Sequence, residues 1–170
     1  ADCGAVFRMV RSAHGLPDGW QALAAKLGAD VPACVQSVAM IGRGTGTELA
    51  AAPDDLAGCA VLLVNPRVPL STGPVFRSWD RLDRGAMPQG SAREIALHGR
   101  NDLEAPALTL CPPIGDVLAA LRDSGAWVSR MSGSGATCFA LYDDAGQRDA
   151  AAAQIAAQHP VWWQLAGALR

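Results

Sequence analysis

The run Met131-Ser132-Gly133-Ser134-Gly135-Ala136-Thr137 stands between two apolar, strand-like segments, Ala126 to Met131 and Thr137 to Leu141. No bulky side chain lies between Ser132 and Ala136. Such a loop joins neighbouring strands and lets its backbone N–H groups approach a phosphate or a bound sugar closely. A tight hairpin needing positive φ accounts for the same glycines, and composition does not choose between the two. The run is not a Walker loop, which would carry Gly-Lys-Ser/Thr, and it is not a dinucleotide fingerprint.

Working outward, Pro112-Pro113 opens a helix whose Ile114, Val117, Leu118 and Leu121 recur at helical spacing and predict a core stripe; Gly125 ends it. Asn101 and Asp102 can cap a shorter helix through Leu108. Before it come a buried strand, Ala60 to Val64, and a short helix, Thr72 to Trp79; after the loop come a helix, Ala145 to Gln158, and a last strand, Val161 to Leu165. The order β-α-α-α-β-β-α-β predicts an α+β domain, with helices layered on one face of a mainly antiparallel sheet. Arg81 to Ser91 reads as a polar loop and a candidate mobile segment, and the charges onward to Arg100 read as solvated.

The N-terminal part has another character. An amphipathic helix begins at once, with Val6, Met9 and Val10 as its apolar stripe and Phe7 beside it, and Gly15-Leu16-Pro17 stops it. Asp18 is placed to cap a second helix through Leu27, with Gly28 as its stop. Ser37 to Ile41 and Thr47 to Ala50 read as strands of a hairpin joined by Gly42-Arg43-Gly44-Thr45-Gly46. Ala51 to Leu56 resembles a junction, so the expected division is 1–52 and 53–170.

Half of the 170 residues are hydrophobic, enough for a sizeable core, and the formal charge is −2 with no Lys/Arg run. Nucleic acid is therefore not expected as a partner. No apolar stretch is long enough for a bilayer span, and no signal-peptide order is present, so a cytoplasmic location is expected. The five cysteines, Cys3, Cys34, Cys59, Cys111 and Cys138, form no C-x-x-C pair and are expected to be buried, inert thiols. No metal site is expected; His14, His98 and His159 read as surface or loop histidines, and Trp162-Trp163 as packing on the last strand or an interface.

Leu27-Gly28-Ala29-Asp30-Val31-Pro32 holds one carboxylate in a small, apolar run. Fixed between Gly and Pro, Asp30 could accept the proton of a substrate hydroxyl; spacing alone favours a turn or helix-capping residue.

Taken in order, Gly28-Ala29-Asp30-Val31-Pro32, Gly42-x-Gly-x-Gly, Val64-Asn65-Pro66 leading to Ser71-Thr72-Gly73 and Phe76, Asn101-Asp102-Leu103-Glu104 and Met131-Ser132-Gly133-Ser134-Gly135 resemble the diphosphocytidyl-methylerythritol kinases of the GHMP superfamily. The resemblance covers almost the whole chain. It implies a GHMP kinase fold, with 1–52 the end of the N-terminal nucleotide and catalytic domain and 53–170 the C-terminal domain. The implied activity is ATP-dependent phosphorylation of the substrate's 2-hydroxyl in non-mevalonate isoprenoid precursor biosynthesis, with Mg²⁺ as companion ion. Asp30 would be the catalytic base, Thr72 and Phe76 would line the substrate pocket, with Phe76 on the cytosine ring, and Ser132, Gly133, Ser134 and Gly135 would form the loop beside phosphates and substrate.

The family's N-terminal strands and its Gly-Gly-Gly-Ser ATP loop have no counterpart here, and Asp2 matches the Asp that follows that loop. The chain is accordingly expected to be an incomplete fragment, inactive alone. The alternatives are another GHMP kinase, acting on mevalonate, homoserine or a sugar, and a non-catalytic binding module. The oligomeric state is not legible.

Overall fold

The computed structural model describes residues 2–44, 46 and 48–170. Thr45 and Thr47, which fall in the expected turn and strand, lie outside the described residues, as does Ala1. The chain divides into two compact units, residues 1–55 with 170, and residues 56–169.

The first unit comprises α1 (Asp2–His14), α2 (Trp20–Leu27), α3 (Val31–Gln36), β1 (Met40–Arg43) and β2 (Glu48–Ala51). Its small core is Ala24, Val31 and Val35, with Phe7, Leu16 and Trp20 packed against it. The residues of the expected α1 stripe, Val6, Met9 and Val10, are 58, 71 and 42% exposed in this chain. The face of α1 that packs instead is that of Gly4, Phe7 and Arg8. A Cβ on Gly4 would stand 2.6 Å from Cys34 Cβ, so only glycine allows α1 so near to α3. Arg8 Nη1 donates to the Cys34 carbonyl across the same contact.

Asp18 does not cap α2; Gly19 occupies that position in the left-handed region at φ 74°, whereas Gly28 stops the helix as expected. The short helix Val31–Gln36 follows Asp30, which occupies its N-cap position; Pro32 is tolerated in the first turn, where its missing N–H has no partner to lose. The hairpin forms with Met40 opposite Ala51 and Arg43 opposite Glu48, so Gly42 and Arg43 are strand residues, and β1 begins at Met40, three residues after the expected Ser37.

The second unit runs β3 (Ala60–Asn65), α4 (Thr72–Ser78), α5 (Ala92–His98), α6 (Glu104–Leu110), α7 (Pro113–Asp123), β4 (Val128–Met131), β5 (Cys138–Tyr142), α8 (Ala145–Gln158) and β6 (Trp163–Ala168). The sheet order is β4-β5-β3-β6, and every pairing is antiparallel. Ala60, Leu62 and Val64 alternate inward along β3 to join Met131, Cys138, Ala140 and Tyr142 in one core. Ile114, Val117, Leu118 and Leu121 of α7, with Ala151 and Ile155 of α8, close over it, so the expected α7 stripe is the core stripe. Tyr142 is fully buried and keeps its hydroxyl partnered, 2.7 Å from Ser124 Oγ.

Several boundaries differ from expectation; β4 begins at Val128 rather than Ala126, and α6 runs on to Leu110. The charged stretch before Arg100 contains α5, opened by a capping box in which Ser91 Oγ accepts from Glu94 N and Glu94 Oε2 accepts from Ser91 N. Asn101 and Asp102 precede α6, whose N-cap position is Leu103. The last strand begins at Trp163 because Val161 and Trp162 belong to the turn that follows α8, where Trp162 stacks on His159 at 3.7 Å between centroids. Among the cysteines only Cys111 and Cys138 are buried; Cys3 lies on the exposed side of α1, and all five are free thiols.

Candidate functional site

Several of the quoted motifs meet at the Ser132–Gly135 loop. Gly133 and Gly135 have φ 56° and 88°, values that glycine adopts without strain. A hairpin hydrogen bond runs from Ser132 N to the Thr137 carbonyl at 2.9 Å, and Gly135 N donates to the Ser132 carbonyl at 3.0 Å. Gly135 is also sterically fixed: a Cβ there would stand 2.8 Å from Met131 Sδ and 3.2 Å from both Ile114 Cδ1 and Leu70 Cδ2. The glycines thus build a tight turn whose inner side rests on the core.

Three side chains from other segments hold this turn. Thr72 Oγ1, at the start of α4, lies 3.0 Å from Ser134 Oγ. Asn65 Nδ2, at the end of β3, donates to Thr137 Oγ1 at 2.9 Å, and its Oδ1 accepts from Arg67 N at 2.7 Å. Asn101 Nδ2 donates to the Met131 carbonyl at 2.9 Å and to the Gly133 carbonyl at 2.8 Å. Phe76 sits one helical turn after Thr72, on the same face of α4, and is 52% exposed. A large aromatic ring left exposed one helical turn from Thr72 is available to stack on a ligand. Asn65 and Asn101 are the residues that sequence reasoning missed as site components. Their signals were the Val-Asn-Pro and Asn-Asp-Leu-Glu runs, where Asn101 read only as a helix cap.

The segment between α4 and α5 is tied down at named points. Arg100 Nη2 donates to the Gly85 carbonyl at 2.8 Å while its Nε bonds Asp102 Oδ1 at 2.8 Å. Asp80 pairs with Arg84, which holds the Asp80 carboxyl down at about 2.

Asp30 belongs to the first unit. It occupies the N-cap position of α3 but makes no side-chain capping bond, so the carboxylate is exposed and not committed to the helix. Its Oδ1 faces the hairpin turn, 3.6 Å from where a Cβ on Gly46 would lie. Asp2 is in the first turn of α1. Among the described residues, no group of three or more His, Cys, Asp and Glu gathers in a way that could hold a metal ion. Among the same residues no helix is long and apolar enough to cross a membrane.

Residues 87–161 match the family described as GHMP kinases C terminal. Over all of its 170 residues the chain is 67% identical to 4-diphosphocytidyl-2-C-methyl-D-erythritol kinase of Novosphingobium aromaticivorans.

Residues 87–161 carry the C-terminal domain of the GHMP kinases.

A second relative, from Erythrobacter litoralis and of the same name, is 59% identical across the whole chain. The chain spans 59% of the first relative's length and 64% of the second's. Among solved structures, a 4-(cytidine 5'-diphospho)-2C-methyl-D-erythritol kinase superposes with a TM-score of 0.75 at 25% identity, covering 97% of this chain and 63% of that one. The α+β architecture and antiparallel sheet of residues 56–169 are those of a GHMP kinase C-terminal domain.

Proposed function

We propose that the protein carrying this chain transfers the γ-phosphoryl group of ATP to the 2-hydroxyl of 4-diphosphocytidyl-2-C-methyl-D-erythritol, in isoprenoid precursor synthesis by the non-mevalonate route. The observation that carries this reading is the 67% identity, over every residue of the chain, to a kinase of that name. The convergence of Asn65, Thr72 and Asn101 on the Ser132–Gly135 turn supports it, because the motifs of the resemblance that lie within residues 56–169 then meet at one place.

In the proposed reaction Asp30 orients the attacking hydroxyl and takes its proton as the new O–P bond forms and the bond from the γ-phosphorus to the β-bridging oxygen breaks, releasing ADP. Its freedom from any capping bond leaves both carboxylate oxygens available for this role. Thr72 and Phe76 contact the substrate, Phe76 through the cytosine ring, and Ser132 to Gly135 present backbone N–H groups near the phosphates. Asp2 stands next to the ATP loop. Mg²⁺ would arrive with the ATP phosphates, since the chain forms no dedicated cage for it among the described residues. The five free thiols fit work in the cytoplasm. The 1–52 segment acts as part of the nucleotide and catalytic domain and 53–170 as the C-terminal domain. Because no Gly-Gly-Gly-Ser loop occurs among these 170 residues, they are expected to give no turnover alone.

The test is ADP release by the full-length encoded protein with ATP, Mg²⁺ and the cytidine substrate, against mevalonate, homoserine and galactose. Turnover of the cytidine substrate, falling by a factor on the order of 10²–10⁴ in Asp30→Asn, is the expected result. Preference for another alcohol would move the substrate within the GHMP kinases, and inactivity on all would favour a binding module.

A further inference from the structure

The amide of Asn101 is committed almost completely to the glycine loop and its own turn. Its two N–H donors go to the carbonyls of Met131 and Gly133, at 2.9 and 2.8 Å, and its Oδ1 accepts from Leu103 N at 3.0 Å. The orientation is fixed by these partners, because a flipped amide would set its oxygen against two carbonyls. The two carbonyls belong to alternate peptide planes, 131–132 and 133–134, and both are drawn toward one nitrogen. In a trans peptide the N–H points opposite to the C=O, so the 133–134 plane turns Ser134 N–H away from Asn101. The 131–132 plane does the same for Ser132 N–H, which reaches the Thr137 carbonyl. Ser134 Oγ is meanwhile held by Thr72.

We propose that Asn101 is a positioning residue: it sets the two peptide planes that aim Ser134 N–H, the kind of backbone donor that receives an anionic oxygen. Aspartate at this position would match the shape of asparagine and still accept from Leu103 N, but it has no donor and would place negative charge against two carbonyl oxygens. The neighbouring residues extend the device. Arg100 holds the Gly85 carbonyl and Asp102 holds Arg100, so three consecutive side chains connect the α4–α5 segment to the glycine loop. The activity part of this inference rests on the proposed function; the loop-shaping part does not.

The experiment is amide hydrogen exchange on the full-length protein and its Asn101→Asp variant, with kcat and KM measured on the cytidine substrate. Exchange at Ser132 and Gly135 should accelerate tenfold or more while Ile155, in the α8 core, stays within twofold. The value of kcat/KM should fall about ten- to a hundredfold, and adding Ser134→Ala to Asn101→Asp should cost less than Ser134→Ala costs alone. Asn101→Ala, which removes the donors without adding charge, supplies the same readouts if the aspartate variant does not fold. Unchanged loop exchange, uniform acceleration at all amides, or kcat/KM within twofold of wild type would each overturn the proposal. If the wild-type protein does not phosphorylate the cytidine substrate, the functional reading fails, and the exchange pattern alone then decides the role of Asn101.

Discussion

The hydroxyls of Thr72 and Ser134, 62 positions apart in sequence, lie 3.0 Å from each other and join the start of α4 to the glycine loop. The bond is exposed, so it competes with water and adds only about 0.5–1 kcal/mol to stability. Its larger effect is expected on function, because Thr72 fixes the rotamer of Ser134. Thr72→Val and Ser134→Ala should each lower kcat/KM several-fold, and together by less than the product of the two. Steady-state kinetics on the four proteins of the cycle measures this coupling.

Phe76 is 52% exposed on the face of α4 that carries Thr72. Replacing a buried Phe by Ala costs about 3–5 kcal/mol, but at this exposure Phe76→Ala should cost about 1 kcal/mol or less. Its expected effect is a rise in KM of about tenfold or more for the cytidine substrate with little change for ATP, since base stacking contributes about 1–3 kcal/mol. Equal changes in both KM values would remove Phe76 from the cytosine site.

Burial pushes the Cys138 thiol up from 9.0 to about 12. Its folded value being the higher, the neutral thiol contributes its full stability below about pH 9, and that contribution is lost as pH rises toward 12. Thermal melts from pH 7 to 11 should show alkaline destabilisation. Cys138→Ala should melt lower at neutral pH, from the small cavity, and the gap to wild type should narrow with rising pH. Tyr142, also raised by burial, has the same sign and leaves a residual alkaline loss in the variant.

The capping box at Ser91 and Glu94 starts α5, which also carries Arg93, whose guanidinium lies 4.1 Å from the centre of the Trp127 ring. Ser91→Ala should destabilise the protein by about 1 kcal/mol, read as a shift in the urea midpoint. Ser91→Gly should cost only a few tenths of that amount, because glycine leaves the capping geometry open to water. A cost for Ser91→Ala no larger than that for Ser91→Gly would mean that the box does not hold the helix.

Much of the second unit was legible because its signals are local. The α7 stripe repeats at helical spacing, α8 begins after a Ser/Asp-type cap, with Asp144 Oδ1 accepting from Gln147 N, and β5 follows a glycine loop. Asn101 was legible only in part: its acceptor role in a turn is local, whereas its donors reach residues 30 and 32 positions away. Val6, Met9 and Val10, exposed in this chain, are a different case. A periodic apolar stripe says that a face could be buried, but the Gly4 contact with Cys34 decides which face of α1 meets α3.

The sequence by itself determined the α+β class, the glycine loop between two strands and the order of motifs that resembles the GHMP kinases, because these depend on period, residue size and spacing along the chain. Only the tertiary structure decided that Asn65, Thr72 and Asn101 hold the same loop, and that Asp30 is left uncapped at the start of α3. Hydrogen bonds between distant segments depend on where the folded backbone places each donor and acceptor, and that placement is a property of the packed chain as a whole.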